Sequence, residues 1–134
     1  TRQLFAAPAT APGENFGDLW WNAAESGWGI TINQQHNRVF AAWYVYGDDG
    51  KPLWVVMPDS ILHAEATAAG LRTVARGDIY TTRGPAEGTP FDPASVVVTR
   101  VGTAAVRFQG EDRAELEYSA FGRTATRQIT RQPF

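Results

Sequence analysis

Between Arg38 and Met57 the chain reads RVFAAWYVY-GDDGKP-LWVVM. Two apolar stretches enclose a tight turn with Asp-Gly at its centre, the strongest hairpin signal in the sequence. The first stretch is apolar on both parities: Val39, Ala41, Trp43 and Val45 on one face, Phe40, Ala42, Tyr44 and Tyr46 on the other. A strand of that kind is covered on both sides, or faces a core one way and a ligand or partner the other. The chain continues in the same manner. Trp28, Ile30 and Ile32 alternate with smaller or polar residues, and NQQHNR then turns the chain. Leu71–Thr82 reads as a strand interrupted at Gly77, and residues 83–93 as a loop whose three prolines exclude a central strand. Four strands are predicted to close the chain: Ser95–Val101, Thr103–Gln109, Arg113–Ser119 and Arg123–Arg131. Residues 58–70 fit either a short helix ending at Gly70 or a loop with a small-residue strand. Eight or nine short strands with short turns predict an all-β fold, an antiparallel meander closed into a barrel of about eight strands; a two-sheet β-sandwich is the alternative.

With 134 residues the chain has room for one domain, and 43% hydrophobic against 19% charged residues suits a folded one. The net charge of −2 gives no support to a nucleic-acid partner, which calls for a basic face. No window approaches 18 continuous apolar residues, so no membrane span is predicted. The absence of cysteine excludes disulfides, thiolate metal sites and a cysteine nucleophile.

Candidate chemistry is sparse. Ser26 lies in ESGWG, where Ala24 occupies the first glycine position of a nucleophile elbow, and only His36 and His63 could serve as its base. Glu14, Asp18 and Glu25 lie near tryptophans, as a sugar-cleaving carboxylate pair would. Asp48 and Asp49 with Asp59 or Glu65 offer oxygen ligands but lack the spacing of a calcium loop. No catalytic residue, metal or cofactor is therefore assigned. The many strand arginines and the acids Glu111, Asp112, Glu115 and Glu117 predict cross-strand ion pairs on a solvated face.

The aromatic set remains: Trp20, Trp21, Trp28, Trp43 and Trp54, with Tyr44, Tyr46, Tyr80 and Phe40. Adjacent Trp20 and Trp21 point to opposite faces of an extended chain, as do Trp43 and Tyr44. One subset is expected to fill the core and another to line a rim, a pocket or a contact. Five tryptophans in so small a domain argue for a recognition surface or a barrel-mouth pocket. The candidate ligand-binding set is Trp20, Trp21, Trp28, Trp43, Tyr44, Tyr46, Trp54 and Glu25.

The two ends of the chain match: TRQLF over Thr1–Phe5 and TRQPF over Thr130–Phe134. With the small-residue, proline-containing stretch that follows the first, this predicts that residues 1–14 are a linker or the tail of a preceding repeat, and residues 15–134 a single β-domain. The stretch WWNAAESGWG, followed by FAAWYVYGDDGKPLWVVMP, GDIYTTRGPAEGTPFDP, VGTAAVRF and the closing ITRQPF, resembles a domain of exported bacterial proteins that is often repeated in tandem or appended after a catalytic domain. There the first motif commonly has proline where Ala23 stands. The resemblance covers nearly all of the chain from Trp20 onward. It implies a secreted, periplasmic or cell-surface location and neighbouring repeats or a catalytic domain as partners, but no activity, ligand or catalytic residue.

Three functions are weighed. The first is a non-enzymatic accessory module that binds a glycan, a peptide or a small apolar ligand through its aromatic residues. The second is a structural spacer or oligomerisation repeat. The third is a small hydrolase using Glu25 or Asp18.

Overall fold

The computed structural model describes residues 15–133. Nine antiparallel strands follow one another: β1 (Asp18–Trp21), β2 (Gly29–Gln35), β3 (Arg38–Tyr46), β4 (Pro52–Ile61), β5 (His63–Thr67), β6 (Gly70–Arg83), β7 (Val97–Phe108), β8 (Arg113–Ala120) and β9 (Arg123–Arg131). Their hydrogen-bonded order is β4-β3-β2-β1-β9-β8-β7-β6-β5, and β4 also pairs with β6. Eight strands thus close into an antiparallel barrel, while β5 hangs on β6 as a hairpin outside the ring. Two 3₁₀ turns, Ala23–Glu25 and Pro93–Ser95, are the helical elements among the described residues. Neither is long or apolar enough to cross a membrane.

Strand parity follows the sequence closely. In β3 the buried residues are Val39, Ala41 and Trp43, and their neighbours Phe40, Ala42 and Tyr44 stand on the outer wall, half-buried. The hairpin to β4 pairs Trp43 with Val55 and Tyr44 with Trp54. Inside, Ile30, Ile32, Val55, Met57, Ile79, Val106, Leu116 and Ile129 complete the core.

Two expectations are corrected, and of the two readings of residues 58–70 the small-residue strand is the one found. Residues 58–70 form no helix: β4 runs on to Ile61, and β5 pairs with β6 from His63↔Val74 to Thr67↔Gly70. β6 passes through Gly77 without interruption, and its register slips instead between Ile79 and Tyr80. The strands expected on either side of Gly102 are one strand, β7. Gly102 marks a close approach, not a turn: a Cβ there would lie 1.8 Å from the carbonyl oxygen of Ser119 on β8.

The two ends of the barrel differ. At one end Phe16 stacks on Phe108 (ring centroids 3.9 Å apart), and Trp20 meets Phe108 edge-on at 5.6 Å. These buried rings plug the barrel. The other end is framed by the β1–β2 segment, the β3–β4 turn, the β8–β9 turn and a ribbon formed by the ends of β6 and β7, where Arg83 pairs with Val97. It stays open.

The β4–β6 seam has Val56↔Tyr80 as its one registered pair. Ser60, the buried polar side chain among the described residues, completes it. Its hydroxyl donates to the Arg76 carbonyl (3.0 Å) and accepts from the Arg76 amide (2.8 Å), replacing two ladder bonds. Ser60→Ala leaves both groups unpaired next to the core, and a loss of about 1–3 kcal/mol is expected in urea unfolding. Ser60→Thr, which keeps the hydroxyl, is expected to lose less.

Candidate functional site

The open end holds a pocket of about 600 Å³. Its floor and walls are Trp43 and Val45 of β3, Leu53 and Val55 of β4, Ile79 of β6, and Tyr118 and Ala120 of β8. Every one of these is a core residue or packs against the core, so the pocket is the unfilled top of the barrel interior. The size and apolar lining are those of a small-molecule site. Its rim carries Tyr46, Asp48, Asp49 and Lys51 on one side and Phe121 and Arg123 on the other. Arg123 meets Asp48 at 3.1 Å, an exposed pair joining the two turns across the mouth. A smaller hollow of about 240 Å³ shares Trp43, Val45, Tyr46 and Tyr118 and adds Glu25, Trp28, Leu116 and Arg127.

The local sequence explains this placement. Asn22 caps the 3₁₀ turn, accepting from the Ala24 amide at 2.9 Å and donating to Glu25 at 3.2 Å. That turn sets Glu25 and Trp28 beside the mouth. In the β3–β4 turn the Gly50 amide donates to the Gly47 carbonyl and the Asp49 carboxylate accepts from the Lys51 amide. Asp49 is a turn-former there.

The aromatic candidates divide into three groups. Trp43, Trp28 and Tyr46, with Glu25, border the mouth or its side hollow. Trp21, Tyr44 and Trp54 lie on the outer wall. Gly29 pairs with Tyr44 and Tyr44 with Trp54, and the β1–β2 register carried one step past Trp20↔Ile30 sets Trp21 beside Gly29. The result is a row across four strands, in which Tyr44 and Trp54 contact at 5.4 Å and Trp54 is 58% exposed.

Trp20 is the correction. It is fully buried at the plugged end, its indole N–H donating to the Phe16 carbonyl at 3.0 Å, and it takes no part in a recognition surface. Its parity with Trp21 was legible in the sequence, but which of the two turned inward was not. Sequence reasoning also missed Leu53 of β4, Ile79 of β6, Tyr118 of β8 and Phe121 of the β8–β9 turn, which border the mouth.

The other candidate chemistries do not converge. Asp18 and Glu25 line different pockets: Asp18 borders a cleft of about 650 Å³ with Asn15, Gln34 and Phe40, and its carboxylate pairs with Arg131 at 3.1 Å. In that cleft Gln34 is engaged in holding the backbone, accepting from the Phe16 amide and donating to the His36 carbonyl. Among the described residues no group of three or more His, Asp or Glu side chains is placed to hold a metal ion.

His63 has a structural partner instead. Glu65 accepts from His63 and takes a two-pronged contact from Arg76 at 2.7 and 3.1 Å, fastening β5 to β6. Arg76 first, and then His63, hold the Glu65 carboxyl down at about 2, while the Ile61 carbonyl and then Glu65 raise His63 above 6.5. The Glu65 contribution is present above its ordinary pKa of 4.5 and fades as pH falls toward 2. The His63 contribution is complete below 6.5 and is lost as pH rises through its raised value. The β5–β6 hairpin is therefore expected to be held best between 4.5 and 6.5. In an NMR titration Glu65→Gln should bring the His63 pKa part of the way back, with the Ile61 bond keeping the remainder.

The ion pairs expected on the outer sheet form between Arg107 and both Glu115 and Glu117, at 3.2 and 3.1 Å. Comparisons of the chain with protein-family models, with curated proteins and with solved structures find no match.

Proposed function

We propose that this domain is a non-enzymatic binding module that takes a small apolar molecule in the open mouth of its barrel. The observation that carries the reading is the asymmetry of the barrel. Phe16, Phe108 and Trp20 fill one end, whereas Trp43, Val45, Leu53, Ile79 and Tyr118 leave about 600 Å³ at the other. Apolar side chains lining a water-accessible space gain from a ligand that displaces that water. The likeness of WWNAAESGWG and the later stretches to an exported bacterial domain supports an extracytoplasmic accessory unit, working beside further copies or a catalytic domain.

The outer row of Trp21, Tyr44 and Trp54 favours a second reading, a spacer that packs against a neighbouring copy. Trp21 pairs with Thr130, so the row begins beside the closing Thr-Arg-Gln.

The test is quenching of tryptophan emission by N-phenyl-1-naphthylamine, an uncharged apolar fluorophore. A saturable one-to-one response is expected. Leu53→Arg, which puts a charged chain into the mouth, should abolish it, and Trp21→Ala on the outer wall should leave it unchanged. Absence of saturation, or its loss in Trp21→Ala alone, would reject the mouth as the site.

A further inference from the structure

The turn between β8 and β9 consists of Phe121 and Gly122, flanked by the paired Ala120 and Arg123. Both central residues have positive φ, 55° and 73°. That is the pattern of a tight I′ hairpin, for which Asn-Gly is the favoured pair. Phenylalanine is a poor occupant of the first position, because its Cβ crowds the backbone in the left-handed region. Burial does not compensate, since Phe121 is 51% exposed. Neither turn chemistry nor the core accounts for the residue. Its position does: the ring borders the mouth, on the rim opposite Tyr46. A residue kept in an unfavourable backbone conformation where a pocket opens points to a role in that pocket.

The rim also limits what can enter. Asp48 is paired with Arg123, and Asp49 and Lys51 carry opposite charges, so the two negative and two positive side chains offer no net charge to attract an ion. The remaining lining joins the rings of Trp43, Tyr46, Tyr118 and Phe121 to aliphatic side chains, and the faces and edges of those four rings favour another flat ring.

We propose that Phe121 is the ligand-contacting lip of the mouth, and that the molecule it meets is flat, aromatic and uncharged. This rests on the mouth being a binding site and adds the class of its ligand. The hairpin gives up some stability in order to present the ring.

The test compares wild type with Phe121→Asn and Phe121→Tyr. Three probes are used: N-phenyl-1-naphthylamine, its anionic relative 8-anilinonaphthalene-1-sulfonate, and 1-decanol as a flexible apolar competitor. The wild type is expected to prefer the uncharged naphthylamine over the sulfonate, and decanol to displace it only weakly. Phe121→Asn should raise the melting temperature, because it supplies the residue that the turn favours, yet weaken naphthylamine binding by up to about tenfold through the lost ring contact. Phe121→Tyr should keep the binding. Unchanged affinity in Phe121→Asn, or a lowered melting temperature, would overturn the role of Phe121. Decanol or the sulfonate binding as tightly as the naphthylamine would overturn the ligand class. Binding of none of the three would overturn the mouth reading beneath both.

Discussion

Trp20→Ala is expected to destabilise the domain by about 3–5 kcal/mol, the range for deleting a large aromatic side chain from a core. Three losses coincide at this position. The indole is completely buried, it closes the plug through its edge contact with Phe108, and its N–H satisfies the Phe16 carbonyl. The void cannot readily collapse, because Phe16 and Phe108 are already stacked on each other. Measured against a typical total of about 5–15 kcal/mol, a loss of that size is a large share of the stability and should lower the urea midpoint clearly. Trp21→Ala, one residue along and on the outer wall, should cost far less. Urea unfolding of the two variants checks the contrast.

The second large effect is expected at Arg131. β1 and β9 share only two registered pairs, Trp20↔Arg131 and Trp21↔Thr130, and the Arg131 side chain makes up the deficit. It donates to the Asn15 carbonyl at 2.7 Å, to the Asp18 carboxylate at 3.1 Å and to the Glu111 carbonyl, and its guanidinium lies 4.9 Å over the Trp20 ring. The next residue, Gln132, donates its amide to the Leu19 carbonyl at 2.9 Å. The closing Thr-Arg-Gln is therefore the latch of the barrel. Arg131→Ala removes several charge-assisted bonds and the cation–π contact together, and a loss of about 3 kcal/mol is expected. Arg131→Lys should recover little of it, since an ammonium group cannot occupy the fork of separated acceptors. A Lys variant as stable as wild type would show that charge alone holds the seam.

The latch gives physical meaning to the repeated string. In the described domain Thr130–Gln132 close the barrel, and the same letters, Thr1–Gln3, stand in the segment expected to be a linker or the tail of a preceding repeat. Residues 1–14, where that expectation falls, lie outside the described residues.

The legible features of the chain are local. Alternation gives the inner and outer faces of β3, and Gly47–Pro52 gives the β3–β4 hairpin, because side-chain direction and turn chemistry depend on neighbours in sequence. What was hidden depends on partners distant in the chain. Nothing in MPDSILHAEAT states that Ser60 would bond both backbone groups of Arg76, and without that bond the segment reads as ambiguous. Gly102 looks like a break until Ser119 is seen to press against it. Arg131 looks like any strand arginine until the ring closes and Asp18, 113 residues away, meets it. The mouth was legible only in outline. Trp43 and Tyr46 could be named, and Leu53 follows from its pairing with Val45 in the β3–β4 hairpin, whereas Ile79, Tyr118 and Phe121 are joined to them by the closure of the barrel alone.

In the proposed function the open end of the barrel, and not its outer wall, receives a ligand. The most direct test is a map of amide and methyl NMR shifts of the domain during titration with N-phenyl-1-naphthylamine. Saturable shifts are predicted at Val45, Leu53, Ile79, Tyr118 and Phe121, with Phe16 and Phe108 at the plugged end left unchanged. Shifts gathered instead around Tyr44 and Trp54, or none that saturate, would contradict the account.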